Sequence, residues 1–144
     1  MVVTLSDNTI LDLGSGNGIL SYEAHRQKPD AVVHLVDDSF LAIESSKINI
    51  NSKKTFFHYQ DDLKQFEDNS FDLVLSNPPF HFEHEINLEI SLGLFGEVKR
   101  CLKKNGSFQL VTSNHLNLKT QLHKFFHMVK VIDQNKKFIV YKCT

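Results

Sequence analysis

Apolar and polar positions follow two rhythms along this chain. Short runs rich in β-branched and apolar residues recur at residues 9–13 (TILDL), 31–37 (AVVHLVD), 54–59 (KTFFHY), 71–76 (FDLVLS) and 107–112 (SFQLVT). Each is bounded by turn residues and reads as a strand. Between them the spacing becomes helical. Leu20, Ala24 and His25 predict a helix that stops before Pro29. Residues 39–50 open on Ser39, an N-cap candidate, and carry apolar residues at 40, 43, 47/48 and 50. Residues 84–102 place Ile86, Ile90, Leu94, Val98 and Leu102 four apart, an amphipathic helix that the Gly turn of Lys103–Gly106 would end. A last helix is predicted over 116–126. The alternating runs MVKVID and KFIVYK, joined by a short turn, predict a hairpin.

The predicted order is β-α-β-α-β-β-α-β-α-β-β. Alternation of this kind implies a doubly wound, mostly parallel sheet with helices on both faces, here with a C-terminal antiparallel hairpin. In such sheets, ligands bind outside the carboxyl ends of the strands. Phe56, Phe57, Phe71, Phe108 and Phe138 fall on strands and are read as core.

Composition changes this picture little. The 144 residues, 41% hydrophobic, suit one domain. No apolar run approaches the ~20 residues of a membrane span, so no membrane association is expected. Cys101 and Cys143 lack metal or redox spacing, and a reducing cytoplasm is the simplest location. Charge is more informative. Residues 1–96 hold 6 Lys/Arg against 15 Asp/Glu, whereas residues 97–144 hold 10 Lys/Arg against Glu97 and Asp133. The basic C-terminal third suits either a polyanion such as RNA or a plain solvated surface. His81 and His84, with two glutamates nearby, are too few for a zinc site, and no metal is expected.

Candidate chemistry gathers at strand ends. Gly14-Ser15-Gly16-Asn17-Gly18 follows the first strand. Its third glycine arrives one residue early for a dinucleotide fingerprint, and no Gly-Lys-Ser/Thr follows for a P-loop. Asp37 ends the second strand, 23 residues beyond Gly14, where a carboxylate can accept hydrogen bonds from ribose hydroxyls. Asp61 follows the third strand, with a turn cap as the alternative reading. Asn77-Pro78-Pro79-Phe80-His81 ends the fourth strand abruptly, because neither proline can donate to a sheet ladder. Asn114 and His115 follow the fifth strand, where a helix cap is the alternative.

These residues together resemble the S-adenosylmethionine-dependent class I methyltransferases, over essentially the whole chain. The resemblance implies a seven-stranded Rossmann-like sheet. It assigns Asp12, Gly14, Gly16, Gly18, Asp37, Asp61 and Asn77 to S-adenosylmethionine. Asn-Pro-Pro-Phe marks members that methylate amide or exocyclic amine nitrogens, with Asn77, Pro78 and Phe80 in the catalytic roles and Pro79, Phe80 and His81 around the substrate. The histidine and the run from Arg100 to Lys142 resemble the catalytic domain of the large-subunit ribosomal RNA (guanine-N2)-methyltransferases. Two departures stand out. That family usually has Cys where Ser15 stands, and an N-terminal domain found in full-length relatives is expected to be missing, so weak cofactor binding and poor turnover are expected of residues 1–144 alone. The implied partner is ribosomal RNA and the expected state a monomer. Glutamine-N5 methylation of a protein, adenine-N6 methylation, and a non-catalytic RNA- or cofactor-binding domain stay open as alternatives.

Overall fold

The computed structural model describes residues 1–77 and 88–144, with backbone only for 88–92. Strand β1 (Thr9–Leu13) is central. It pairs in parallel with β2 (Val32–Asp37) on one side and β4 (Phe71–Ser76) on the other. Strand β3 (Thr55–Tyr59) adds outside β2, and β5 (Leu102–Ser113) outside β4, both parallel. The chain ends in the antiparallel pair β6 (Val129–Gln134) and β7 (Phe138–Cys143), with β7 against β5. The seven-stranded order is β3-β2-β1-β4-β5-β7-β6. The predicted architecture is therefore the observed one. β1 and β4 read as continuous apolar runs because both faces of a central parallel strand are covered.

Alternation along each strand divides the core. Ile10, Val33, Leu35, Leu73 and Leu75 face α1 (Ile19–Gln27) and the end of α2 (Phe40–Asn49), meeting Ala24 and Ile50. Leu11, Leu13, Val36, Val74, Phe108 and Leu110 face α3 (Leu88–Cys101) and α4 (Lys119–Leu122). This second layer is rich in aromatic residues; Phe95 lies 6.2 Å from Phe108, and Phe108 lies 5.7 Å from Phe126, between ring centroids. Ser39 caps α2 as predicted, its hydroxyl accepting from the Ala42 N–H at 3.3 Å.

Four expectations are corrected. Helix α3 ends at Cys101, and no glycine turn separates it from the next strand. Leu102 already pairs with Phe71, the ladder is then interrupted, and Ser107 pairs with Leu73. Lys103–Gly106 is thus an irregularity within β5. Gly106 is needed there because a Cβ would stand 3.0 Å from the Phe71 and Lys103 carbonyl oxygens. The helix predicted over 116–126 shrinks to one turn. Leu118, Leu122 and Phe126 keep their four-residue spacing in the core, but bonds from Lys124 to Gln121 and from Phe125 to Leu122 tighten the remainder.

Phe56 and Phe138 are each 48% exposed and are not core. Phe56 sits on the edge strand β3, where the β3–β4 link forms no helix to cover it. It stacks 5.0 Å from the half-buried His34, which burial holds down at about 4. Arg100 of α3 secures that link in place of a helix. Its guanidinium donates to the Phe66 carbonyl at 2.8 Å and the Leu63 carbonyl at 3.0 Å, and pairs with Asp68 at 2.8 Å. Lastly, Asn114 caps no helix. Its N–H donates to the Lys137 carbonyl at 2.9 Å, and its side-chain amide to the Asn135 carbonyl, which fixes the β6–β7 turn.

Candidate functional site

Leu13 stands level with Val36 and with Ser76, so the carboxyl ends of β2, β1 and β4 form one floor. The Ser76 hydroxyl donates to the Leu13 carbonyl at 2.7 Å and locks two of these ends together. Above the floor the glycine loop folds towards β2. The Gly14 and Ser15 N–H groups both donate to the Val36 carbonyl, at 2.9 and 3.1 Å. Gly14, Gly16 and Gly18 have φ of 67, 55 and 82°, values that L side chains rarely adopt.

The glycines differ in purpose. A Cβ on Gly16 would meet nothing within 4 Å, so this residue faces open space. A Cβ on Gly18 would stand 2.8 Å from Ile50 Cδ1 and 2.9 Å from Ser46 Cβ. Gly18 therefore lets α1 pack closely on the end of α2. Gly18→Ala combines left-handed strain with overpacking and is expected to cost ~2–5 kcal/mol. Thermal unfolding would show a clearly lowered midpoint; an unchanged midpoint would mean that α2 yields freely.

Asp37 is already engaged. Its Oδ2 accepts from the Gly16 N–H at 2.8 Å and its Oδ1 from the Ser39 N–H at 2.9 Å. Each carboxylate oxygen keeps a further lone pair, so the side chain is oriented and can still accept. Asp12 lies beneath the loop, fully buried. Its Oδ2 accepts from the Ser21 N–H at 3.0 Å and the Ser21 hydroxyl at 2.6 Å. Ser21 is the third residue of α1, so Asp12 caps that helix from a neighbouring strand in place of Gly18, which has no side chain. Asp12 Oδ1 has no partner. Burial raises the carboxyl to about 6 against the lowering effect of the Ser21 bonds, with Asp37 raising it further. The buried Ser15 hydroxyl is also unpartnered.

Gly14, Gly16, Asp37 and Asn77 line a single cleft of ≈ 330 Å³, together with Ser39 and Ala42. Asn77 is exposed there at the end of β4. Gly18 is not in its lining. Asp61 lies in an adjoining hollow with Tyr59 and Gln60, and Asp38 belongs to both spaces. Its predicted alternative, a turn cap, falls instead to Asp62, which accepts from the Lys64 N–H at 3.2 Å and pairs with its ammonium at 2.9 Å. Pro78, Pro79, Phe80, His81 and His84 lie outside the described residues. Among the described residues no cluster of three metal-ligating side chains occurs, and no helix is long and apolar enough to cross a membrane. Sequence reading missed Ser21, whose only signal is a hydroxyl at the third position of a helix that lacks a cap side chain.

These residues fit an S-adenosylmethionine site. Asp12 Oδ1 is a buried acceptor without a donor, and the cofactor carries an ammonium. Gly16 leaves room where a side chain would fill the cleft. Asp37 is held at its edge with a lone pair to spare on each oxygen, and the cofactor carries ribose hydroxyls.

The family model described as methyltransferase small domain matches residues 1–142. Ribosomal RNA large subunit methyltransferase G of Psychromonas ingrahamii is 33% identical over 138 residues, which cover 91% of this chain and 36% of that protein. The protein of the same name from Yersinia pestis is 36% identical over 139 residues, covering 92% and 35%. The chain thus spans about a third of the length of these curated relatives. Among solved structures, the T. thermophilus 16S rRNA N2 G1207 methyltransferase (RsmC), in complex with AdoMet and guanosine, superposes with a TM-score of 0.78. That match is 23% identical and covers 94% of this chain and 36% of the other. The ribosomal protein L11 methylase from Lactobacillus delbrueckii subsp. bulgaricus gives a TM-score of 0.76 at 20% identity, covering 99% and 72%.

Proposed function

This chain belongs to the methyltransferase small domain family, and on that premise we propose that it transfers a methyl group from S-adenosylmethionine to the exocyclic N2 amine of a guanine in ribosomal RNA. The observation that carries the cofactor half is the unpartnered Asp12 Oδ1 beneath a glycine loop, with Asp37 fixed on the next strand end. The RNA half is supported by the names of the curated relatives and by the basic residues 97–144. The expected setting is cytoplasmic, with the chain acting as a monomer.

When bound, S-adenosylmethionine supplies a methyl group on a sulfonium, already a strong electrophile. Asp12 Oδ1 accepts from the cofactor ammonium. Gly14 and Gly16 let backbone approach it, Gly18 shapes the loop from below, and Asp37 takes the ribose hydroxyls. Asp61, in the adjoining hollow, serves the adenine edge. The remaining difficulty is the acceptor amine, whose lone pair is delocalised into the base. The Asn77 side-chain carbonyl accepts one amine N–H and the Pro78 carbonyl the other, which draws the nitrogen towards sp³ geometry. Proline's fixed φ keeps that carbonyl rigid. Phe80 stacks on the base, and Pro79 and His81 complete its pocket. Catalysis is then positioning in a desolvated cleft, without a tuned base.

Incubation of the chain with methyl-labelled S-adenosylmethionine and either deproteinised ribosomal RNA or a release factor tests this reading. Label is expected in RNA, recovered as N2-methylguanine after nuclease digestion. Label in the protein, or in another nucleoside, would overturn the choice of acceptor.

A further inference from the structure

The strand registers give the site a wall. Ser76, on the floor of the cleft, stands level with Leu110, and Leu110 with Tyr141. β5 does not stop there. It continues through Val111, Thr112 and Ser113, paired with Val140, Ile139 and Phe138. Three residues at ~3.3 Å each raise this edge about 10 Å above the floor. β4, by contrast, has already handed over to Asn77. The wall stands on the β5 side of Asn77, across β4 from the strand ends that carry Gly14 and Asp37, and the β6–β7 turn is its rim.

That rim is rigid, cationic and aromatic. Asn114 holds it through the Lys137 and Asn135 carbonyls, and the Gln134 side-chain amide donates to Asn114 Oδ1 at 3.3 Å. Asn135 Oδ1 accepts from the Lys137 and Phe138 N–H groups at 2.8 and 2.9 Å. Lys136 and Lys137 are exposed, and neither joins the ion pairs found among the described residues. The nearest acid in sequence, Asp133, accepts from the Gln134 N–H at 2.8 Å. Phe138, the next residue after the two lysines, is about half exposed. Two exposed lysines, unpaired among the described residues, followed in sequence by an exposed phenylalanine on a fixed turn, match a strand of RNA: phosphates for the lysines and a base face for the ring.

We propose that the rim of this wall, Lys136, Lys137 and Phe138, grips single-stranded RNA flanking the methylated nucleotide. The inference rests on the proposed RNA substrate and adds where the strand runs. It is tested by fluorescence anisotropy with a labelled single-stranded RNA oligonucleotide. The full chain is compared with Lys136→Ala/Lys137→Ala and with Lys104→Ala/Lys130→Ala. The second pair removes the same charge from exposed positions near the starts of β5 and β6, at the opposite edge of the sheet. The rim variant is expected to bind roughly tenfold more weakly, and its salt slope to fall by roughly 1.4, for two lost phosphate contacts. The control is expected to stay within about twofold. S-adenosylmethionine affinity should be unchanged in both, which checks folding. Equal losses in the two variants, or none in either, would overturn the rim while leaving the RNA substrate standing. A wild-type chain that binds no RNA would overturn the substrate, and the rim with it.

Discussion

Replacing Asn77 with alanine is expected to lower methyl transfer by on the order of 10²–10³, the loss seen when one preorganised transition-state hydrogen bond is removed. Cofactor affinity should change by less than about threefold. The two expectations separate because of where Asn77 stands. It is exposed in the cleft just beyond the last residue of β4. The floor below it is held by the Ser76 hydroxyl on the Leu13 carbonyl, which the substitution leaves intact. What is lost is an acceptor for the amine as it pyramidalises. Single-turnover methylation, read beside titration calorimetry for S-adenosylmethionine, measures both quantities. Near-normal turnover in Asn77→Ala would sink the amine-gripping role. A parallel collapse of cofactor affinity would assign Asn77 to the cofactor instead.

The second large effect concerns Asp12 and carries a pH signature. Its folded carboxyl sits at about 6, above the 3.8 of an unperturbed aspartate. The folded state therefore holds this proton more tightly than the unfolded state does. By linkage, stability from this group is fully present below pH 4 and is lost as pH rises towards 6, by roughly 3 kcal/mol in all. An ammonium placed against Oδ1 favours the charged form. Cofactor affinity should accordingly be flat from about pH 6 to the titration of the cofactor's own amine near pH 8, and fall below pH 6, approaching tenfold per pH unit, with uptake of the ligand releasing a proton there. Asp12→Asn removes the charge but keeps an oxygen for Ser21. The expected result at pH 7 is an affinity loss of about 1.5–3 kcal/mol, and the disappearance of the slope below pH 6. Calorimetry in buffers of different ionisation enthalpy reads both. A slope that survives in the variant would place the titrating group elsewhere.

Most of the sheet was legible from sequence because its strands are buried on both faces and punctuated by glycine, proline and aspartate. The glycine loop and Asp37 were legible for a related reason: a ligand edge in a parallel sheet is where each strand ends. What could not be read was spatial. Ser21 is chemically ordinary until β1 is known to run beneath α1. Gly18 looks like one more loop glycine until Ile50, 32 positions later in the chain, closes on it. The helix over 116–126 had the right apolar spacing but is only one turn of α-helix, because three anchors four apart can be satisfied by mixed turns. Phe138 obeys strand alternation, yet its face of the sheet is not covered. Periodicity reports which residues share a face; it does not report whether anything is packed on it.

The strand order has a consequence for the order in which the molecule can be completed. Among the described residues β6 has no ladder partner except β7, and β7 is made after β6, yet it lies inside β6 in the sheet. While the chain is being made, the edge of β5 has no neighbour and β6 has none at all. The β6–β7 hairpin must form as a unit, a local event on the microsecond scale, and then add to a sheet assembled from distant strands. The rim beside the cleft therefore comes into being only once β7 has been made and paired with both β5 and β6.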